Sequence, residues 1–289
     1  MRLLWLSDVH LNFLPTSDAA QTFGAYLGVE QKFDRVIVSG DIAEAPTVRD
    51  LLNCFARGVG CQVSFVLGNH DYYGGSIAGV HKEMVEGLDP NLTWLDIAEP
   101  TLLDDTTALV GNQGWYDGLI GKAKESRVIL SDFQVIKDFR PLFQEMYWLH
   151  YAEQGSRSEL LAKLQALSRH CAIEAKTRLV EALGQRKNVI FVTHFPPFKG
   201  SCWHEGKISD DHWLPWFTSG AMGHMLGQLA ASHPENNILV LCGHTHSPGL
   251  YQHAKNLRVL TGKAVYGAPD VAGLIDTQVA FEDWTVLKR

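Results

Sequence analysis

The sequence predicts an α/β fold in which helices pack on a parallel β-sheet. Its first 70 residues alternate between short apolar segments and longer segments with helical spacing. The apolar segments are residues 2–6, 35–39 and 62–67, and helical patterns lie between them at 18–28 and 47–58. Short apolar runs are typical of buried strands, and strands that alternate with helices are typical of parallel sheets.

The rest of the chain continues this pattern less regularly. Residues 115–185 are predicted to be mostly helical, and the clearest helix in them covers 156–184. The other predicted elements are strands at 92–97, 101–111, 189–193 and 238–242, a helix at 219–232, and about three β segments from 249 onward.

Length and composition favour one domain covering residues 1–289, because 46% apolar residues can build a large core. The net charge is −7, whereas proteins that bind a nucleic-acid backbone are usually basic. No run of 18 apolar residues occurs, so we expect no membrane span. The apolar start is too short for a signal peptide, and the five cysteines lack C-x-x-C spacing. We therefore expect a cytoplasmic protein with reduced thiols.

Five predicted strands run directly into residues of the types that bind metals. These endings are Ser7-Asp8-Val9-His10, Gly40-Asp41, Gly68-Asn69-His70-Asp71, His194, and Gly243-His244-Thr245-His246. In open α/β sheets, binding sites lie beyond the carboxyl ends of the strands. We therefore expect these side chains to meet at one rim.

The candidate ligands supply oxygen and imidazole nitrogen, which suit Mn, Fe, Zn, Co or Ni. They are too many for one tetrahedral ion and suffice for two divalent ions about 3.5–4 Å apart. Each motif taken alone could equally be a turn or a packed loop, but five such endings together favour a metal site. The predicted ligands are Asp8, His10, Asp41, Asn69, His194, His244 and His246.

Taken in order, these motifs resemble those of the calcineurin-like metallophosphoesterase superfamily. They extend from residue 8 to residue 246, which is nearly the whole chain. The resemblance implies a two-sheet αββα sandwich with a dinuclear metal site at the strand ends. It implies that Asp41 bridges two metals, the first held also by Asp8, His10 and His246, and the second by Asn69, His194 and His244.

The resemblance also implies a role for His70 just outside the metals, in contact with the phosphate or the leaving group. A histidine there could protonate the leaving oxygen. Asp71 could orient His70 or a ligand histidine, although a turn or cap role explains it equally well. Two cations would lower the pKa of a shared water, so that hydroxide attacks phosphorus near neutral pH.

Two further segments are candidates for substrate contact. Trp115 and Tyr116 follow a predicted strand in a stretch that resembles one near the rim of some family members, although core packing explains them equally well. His204 lies in the aromatic-rich segment 203–216, which could wall the pocket or pack as an ordinary loop.

The connection before His194 is longer than a simple strand-to-helix loop requires. We predict that residues 117–155 form an inserted cap over or beside the rim, with Trp115, Tyr116 and Trp148 on its inner face. The alternative is that this segment packs on the outer face of the sheet, away from the metals.

We expect a phosphodiesterase that acts on a small molecule or a nucleotide. The alternatives are a phosphomonoesterase, a protein phosphatase, or a scaffold that kept the fold without catalysis. The scaffold is disfavoured because all seven ligands and His70 are present. A nuclease is disfavoured by the acidic composition, and nothing in the sequence indicates the oligomeric state.

Overall fold

Two six-stranded mixed sheets form the centre of the structure, a computed structural model that describes residues 1–30, 32–143, 155–284 and 286–287. The strands are β1 (Arg2–Leu6), β2 (Arg35–Ser39), β3 (Gln62–Val66), β4 (Leu92–Trp94), β5 (Thr101–Leu102), β6 (Thr107–Gly111), β7 (Asn188–Val192), β8 (Trp203–His204), β9 (Lys207–Ile208), β10 (Asn237–Cys242), β11 (Gly249–Ala254), β12 (Leu257–Thr261), β13 (Val271–Asp276) and β14 (Val286–Leu287). The helices are α1 (Ser17–Glu30), α2 (Val48–Val59), α3 (Ile77–Glu86), α4 (Asp132–Val135), α5 (Gly155–Gln185), α6 (Leu214–Phe217) and α7 (Gly220–Ser232). Within these described ranges, none of the helices has both the length and the apolar composition needed to cross a bilayer.

The two sheets have similar designs. The first has the strand order β14-β13-β1-β2-β3-β4, and the second has the order β11-β12-β10-β7-β6-β5. In the first sheet β1 to β4 are parallel, and in the second β12, β10, β7 and β6 are parallel. Antiparallel strands are added at the edges. The fold is therefore the two-sheet αββα sandwich that the motifs implied.

Alternation along the strands divides the core into three layers. In β1, Leu3 and Trp5 face the second sheet, whereas Leu4 and Leu6 pack in the layer beneath α1 and α2. This follows from the strand pleat, which points successive side chains to opposite faces. A third layer packs the outer face of the second sheet against α5 and α7. The central strands β1, β2, β3, β7 and β10 are buried on both faces, so they are almost continuously apolar.

The predicted helical content of residues 115–185 is wrong for its first part. Residues 112–131 contain turns and no helix, although α4 and α5 follow and residues 140–143 are helical. Gly114, Gly118 and Gly121 have φ between +69° and +87°, a backbone conformation that interrupts a right-handed helix. Trp148 lies outside the described residues.

Helices α1 and α2 approach each other closely through glycine. A Cβ atom added at Gly58 would collide with the carbonyl oxygen of Gln21. A Cβ at Gly24 would similarly meet the carbonyl oxygen of Phe55. The missing side chains allow the two backbones to come into contact above the first sheet.

We predict that Gly58→Ala lowers the free energy of unfolding by about 1–3 kcal/mol, because the two helices must move apart. The control is Gly28→Ala on the exposed side of α1, where nothing lies within 4 Å of an added Cβ. That change should be neutral or stabilise the protein by up to about 1 kcal/mol. Chemical denaturation of both variants measures the difference, and an unchanged stability of Gly58→Ala would contradict the close contact.

Candidate metal centre

The predicted ligands converge where the carboxyl ends of the two sheets meet. The loops after β1, β2 and β3 supply residues from the first sheet, and those after β7 and β10 supply residues from the second. Potential ligand atoms of Asp8, His10, Asp41 and His246 all lie within 4.8 Å of one another, as do those of Asp41, His194 and His244. Asp41 belongs to both groups, which matches the bridging position that the resemblance implied.

The first group is built from two histidines and two carboxylates. The Nε2 atoms of His10 and His246 are 3.2 Å apart. His246 Nε2 lies 3.6 Å from Asp8 Oδ1, and His10 Nε2 lies 3.9 Å from Asp41 Oδ2. The loop after β10 is tied to this group because the His244 backbone NH donates to Asp8 Oδ1 at 2.8 Å.

Asn69 joins the second group through its side-chain oxygen. Its Oδ1 lies 3.0 Å from both His194 Nε2 and His244 Nδ1. His194 Nδ1 lies 2.9 Å from the carbonyl oxygen of Ser39, to which it donates. Because Nδ1 carries the proton, Nε2 has a free lone pair, as a metal ligand requires. Nε2 lies 3.4 Å from Asp41 Oδ1.

The electrostatics of the cluster fit divalent cations. Burial raises the pKa of Asp8, and it raises the pKa of Asp41 to about 7. Burial also lowers the pKa of His10 to about 2 and that of His194 to about 4, so these imidazoles are neutral. In the described part of the chain, no Lys or Arg forms an ion pair with Asp8 or Asp41. Cations would supply the missing positive charge and bind neutral imidazoles.

Most of the candidate ligands have an unusual backbone conformation. Six non-glycine residues of the described chain have positive φ, and five of them are Asp8, His10, Asp41, His244 and His246. This region costs of order 1–3 kcal/mol for a residue with a side chain, although Asp and His tolerate it better than most. Such strain is concentrated at functional sites.

The glycines before the ligands mainly allow the ligand carboxylates to lie close to the backbone. Among Gly40, Gly68 and Gly243, only Gly40, with φ of +92°, has a left-handed backbone conformation. A Cβ at Gly68 would overlap Asp41 Oδ1, and a Cβ at Gly243 would overlap Asp8 Oδ2. The two carboxylates thus lie directly against glycine backbone.

Comparison with known proteins agrees with this geometry. The sequence profile of the calcineurin-like phosphoesterase family matches residues 1–248. The chain belongs to this family. It is a metal-dependent phosphoester hydrolase, as the sequence motifs predicted. Among curated protein sequences, none matches the chain significantly.

Two solved structures share the fold of this phosphoesterase. A phosphopantetheinyl hydrolase from Mycobacterium tuberculosis has 16% identity and a TM-score of 0.58, with 92% of this chain and 89% of that chain covered. A dimetal phosphatase from Danio rerio has 14% identity and a TM-score of 0.56, with 93% and 89% covered. At these identities the likeness establishes the architecture and not the substrate.

In the described chain, the Asp71 carboxylate is hydrogen-bonded to backbone NH groups and not to a histidine, which favours the turn role over the orienting role. Its Oδ1 accepts hydrogen bonds from the backbone NH groups of Ile42 and Ala43, both at 2.8 Å. Its Oδ2 accepts from the Gly68 backbone NH at 2.7 Å. The buried carboxylate therefore joins the loop that carries Asp41 to the loop that carries Asn69. Its contribution to the phosphoesterase site is to hold these loops together.

For Trp115 and Tyr116 the structure favours the core-packing alternative over substrate contact, because both side chains are fully buried. The Trp115 ring packs against Tyr72 and Phe195, with centroids 5.6 and 5.4 Å away. The Tyr116 hydroxyl donates to Asp132 Oδ2 at 3.0 Å. Packing against distant segments leaves neither ring facing the cavity over the candidate metal centre.

A cavity of about 290 Å3 opens over the candidate metal centre. Two residues that the sequence analysis singled out, His70 and the exposed His204, line it. Its walls also contain residues that sequence reasoning missed, namely Tyr73, Leu130, Ser131, Asp132, Phe217 and Tyr266. Tyr73 follows His70 on the same turn, but the other five carry no local signal. A larger cavity of about 580 Å3 lies at the opposite end of β7 and β10 and has none of the candidate ligands in its lining.

We predict that Asp41→Asn strongly reduces bound metal and lowers activity by about 100-fold or more, because both groups lose their shared carboxylate. Elemental analysis of the purified protein measures the metal. The control is Asp50→Asn, which removes the same charge from a side chain that is 70% exposed on α2. Full metal content in a folded Asp41→Asn protein would refute the shared position.

Proposed function

We propose that this enzyme is a phosphodiesterase for small molecules or nucleotides, and that its seven candidate ligands hold two divalent ions. The supporting observation is the composition of the cavity wall. In the described chain, its lining contains aromatic and apolar side chains but no Lys or Arg. A phosphomonoester carries more negative charge, which a cationic side chain would help to bind. A phosphodiester carries one negative charge and two organic groups.

The aromatic side chains lie on both sides of the proposed ions. Tyr266 is 48% exposed and lies over His10, with ring centroids 4.4 Å apart. Phe217 lies across the cavity against His244, with centroids 5.1 Å apart. An apolar or planar substituent of a diester could stack on either wall. The cavity volume of about 290 Å3 favours a small substrate over a peptide.

Within this proposal, the bound cations would lower the pKa of a water and offset charge on the phosphoryl oxygens. His70 serves as the group that stabilises or protonates the leaving oxygen. Its ring is 18% exposed and lies against Tyr73, with centroids 4.2 Å apart. His70 Nε2 lies 3.9 Å from Asp41 Oδ2. The imidazole is therefore within reach of a substrate held at the cluster. Burial lowers the pKa of His70, and the charge of Asp132 opposes this effect.

We also propose that the described part of the predicted cap at 117–155, residues 117–143, lies beside the metal rim and restricts access to small phosphoesters. Leu130, Ser131 and Asp132 support this role because they line the cavity. The same segment is attached to the motif loops by hydrogen bonds, including one from the Gly74 backbone NH to the Val135 carbonyl at 3.2 Å.

The role of His70 can be separated from metal binding by substitution. We predict that His70→Ala keeps near-normal metal content and lowers kcat by about 100- to 10 000-fold, the range for a lost general acid. KM should change much less, because the interaction is made in the transition state. The exposed His224 provides the matched control as His224→Ala. Loss of metal in His70→Ala would identify His70 as a ligand instead.

The substrate class is tested on metal-stripped enzyme reloaded separately with Mn, Fe, Zn, Co or Ni. We predict that kcat/KM for bis-p-nitrophenyl phosphate exceeds that for p-nitrophenyl phosphate by about tenfold or more, equivalent to ~1.4 kcal/mol. Cyclic and linear nucleotide diesters then extend the panel. The Asp41→Asn protein, purified in parallel, reports any contaminating phosphatase. Faster hydrolysis of the monoester with every metal would reject the diesterase and favour a phosphomonoesterase.

A further inference from the structure

We infer that Asp132 is a positioning residue that orients the side-chain amide of Asn69 toward the metal centre. This inference rests on the proposed metal centre and adds to it a residue outside the recognised motifs. Asp132 begins α4 and lies 63 residues from Asn69 in sequence. The first evidence is the direction of the hydrogen bond between these two side chains.

The amide of Asn69 has a donor end and an acceptor end, and the two ends face different partners. Its Nδ2 donates to Asp132 Oδ1 at 3.0 Å. Its Oδ1 points the other way and lies 3.0 Å from both His194 Nε2 and His244 Nδ1. A carboxylate accepts hydrogen bonds and cannot donate them. Asp132 therefore selects the orientation in which the Asn69 oxygen, which is the atom able to bind a cation, faces the ligand histidines.

Asp132 is itself held in place by two tyrosines. The Tyr73 hydroxyl donates to Oδ1 at 2.6 Å, and the Tyr116 hydroxyl donates to Oδ2 at 3.0 Å. The residue is 1% exposed, and its bond from Tyr116 is fully buried. In a buried setting, an acceptor with three donors is strongly fixed in direction. Tyr116 is fully buried and does not line the cavity. Its hydroxyl instead contacts Asp132 behind the site.

The Asp132 carboxylate also supports the position of His70. Tyr73 is anchored by Asp132, and its ring is nearly parallel to that of His70, with an interplanar angle of 26°. Asp132 thus orients one proposed ligand directly and supports the proposed acid through Tyr73. Groups that orient ligands in this way typically change metal affinity by about 10- to 100-fold when they are substituted.

The decisive variant is Asp132→Asn, which keeps the shape but offers a donor beside Asn69. The Asn69 amide can then turn and present its Nδ2 to the metal. We expect Mn²⁺ titration of the metal-stripped protein to show one binding event about 10- to 100-fold weaker and the other unchanged. An Asp8→Asn variant, altered in the other group, identifies which event belongs to which site. Calorimetry measures affinity, and elemental analysis gives the metal content independently of activity.

The matched control is Asp117→Asn, which alters another fully buried carboxylate of the same segment. It changes hydrogen bonds to the start of α7 and leaves the bond between Asp132 and Asn69 in place. We expect both Mn²⁺ affinities to remain within about threefold of the wild type, since the orientation of Asn69 is preserved. Equal losses in Asp117→Asn and Asp132→Asn would indicate general loosening and overturn the inference.

An exchange of the two residues provides the rescue. In the double variant Asn69→Asp/Asp132→Asn, the amide introduced at position 132 can donate to the carboxylate introduced at position 69, whose second oxygen faces the histidines. We expect this protein to recover the weakened Mn²⁺ site, which a purely structural role would not predict. If Asp132→Asn does not fold, the double variant decides alone, and its failure to fold or to bind two Mn²⁺ rejects the inference.

Failure of the proposed metal centre and failure of the proposed role of Asp132 give different results. If the wild type binds no Mn²⁺, Fe²⁺, Zn²⁺, Co²⁺ or Ni²⁺, the proposed metal centre fails and the role of Asp132 fails with it. If the wild type binds two ions and Asp132→Asn binds both with wild-type affinity, only the role of Asp132 is rejected.

Discussion

The buried carboxylate of Asp41 is the feature on which the rest of the site depends. Its Oδ1 accepts from the His70 backbone NH at 2.9 Å and lies 3.4 Å from His194 Nε2. Its Oδ2 lies 3.9 Å from His10 Nε2. One side chain therefore faces ligand candidates from both sheets. A carboxylate without nearby positive charge is costly to bury, and burial accordingly raises the pKa of Asp41 to about 7. Cations between the histidines would relieve this cost and link the two sheets.

In this sandwich, the elements that stabilise the domain are different from the loops that carry backbone strain. The central strands are almost fully buried between sheets and helices, and the loops after them contain five of the six non-glycine residues with positive φ in the described chain. Burial of apolar strands stabilises the domain, whereas the ligand loops hold conformations that cost of order 1–3 kcal/mol for each strained residue. Gly68 and Gly243 lie where a side chain would displace the carboxylates. The cost of strain at the rim is offset by the burial of the apolar layers below it.

Three buried carboxylates outside the candidate ligands connect distant segments. Asp71 joins the loops after β2 and β3 through three backbone NH groups. Asp117 accepts from the Gly220 and Ala221 backbone NH groups at the start of α7, and from a serine of α5. Asp132 accepts from one amide and two tyrosines. Each carboxylate accepts several hydrogen bonds that replace those it would make to water, as buried polar groups must.

The sequence by itself determined the alternation of strands and helices, the family, and the set of candidate ligands that meet at the rim. These features are local, because a strand and the residues that follow it occupy adjacent positions in the chain. It left open whether Trp115 and Tyr116 are buried, and it did not predict the partners of Asp71 or the bond from Asn69 to Asp132. It also missed the cavity walls formed by Phe217 and Tyr266. These depend on contacts between segments far apart in sequence, and a tyrosine or an aspartate alone carries no signal of what it will meet. Tertiary packing therefore decided which aromatic residues face the cavity and which acidic side chains hold the ligand loops.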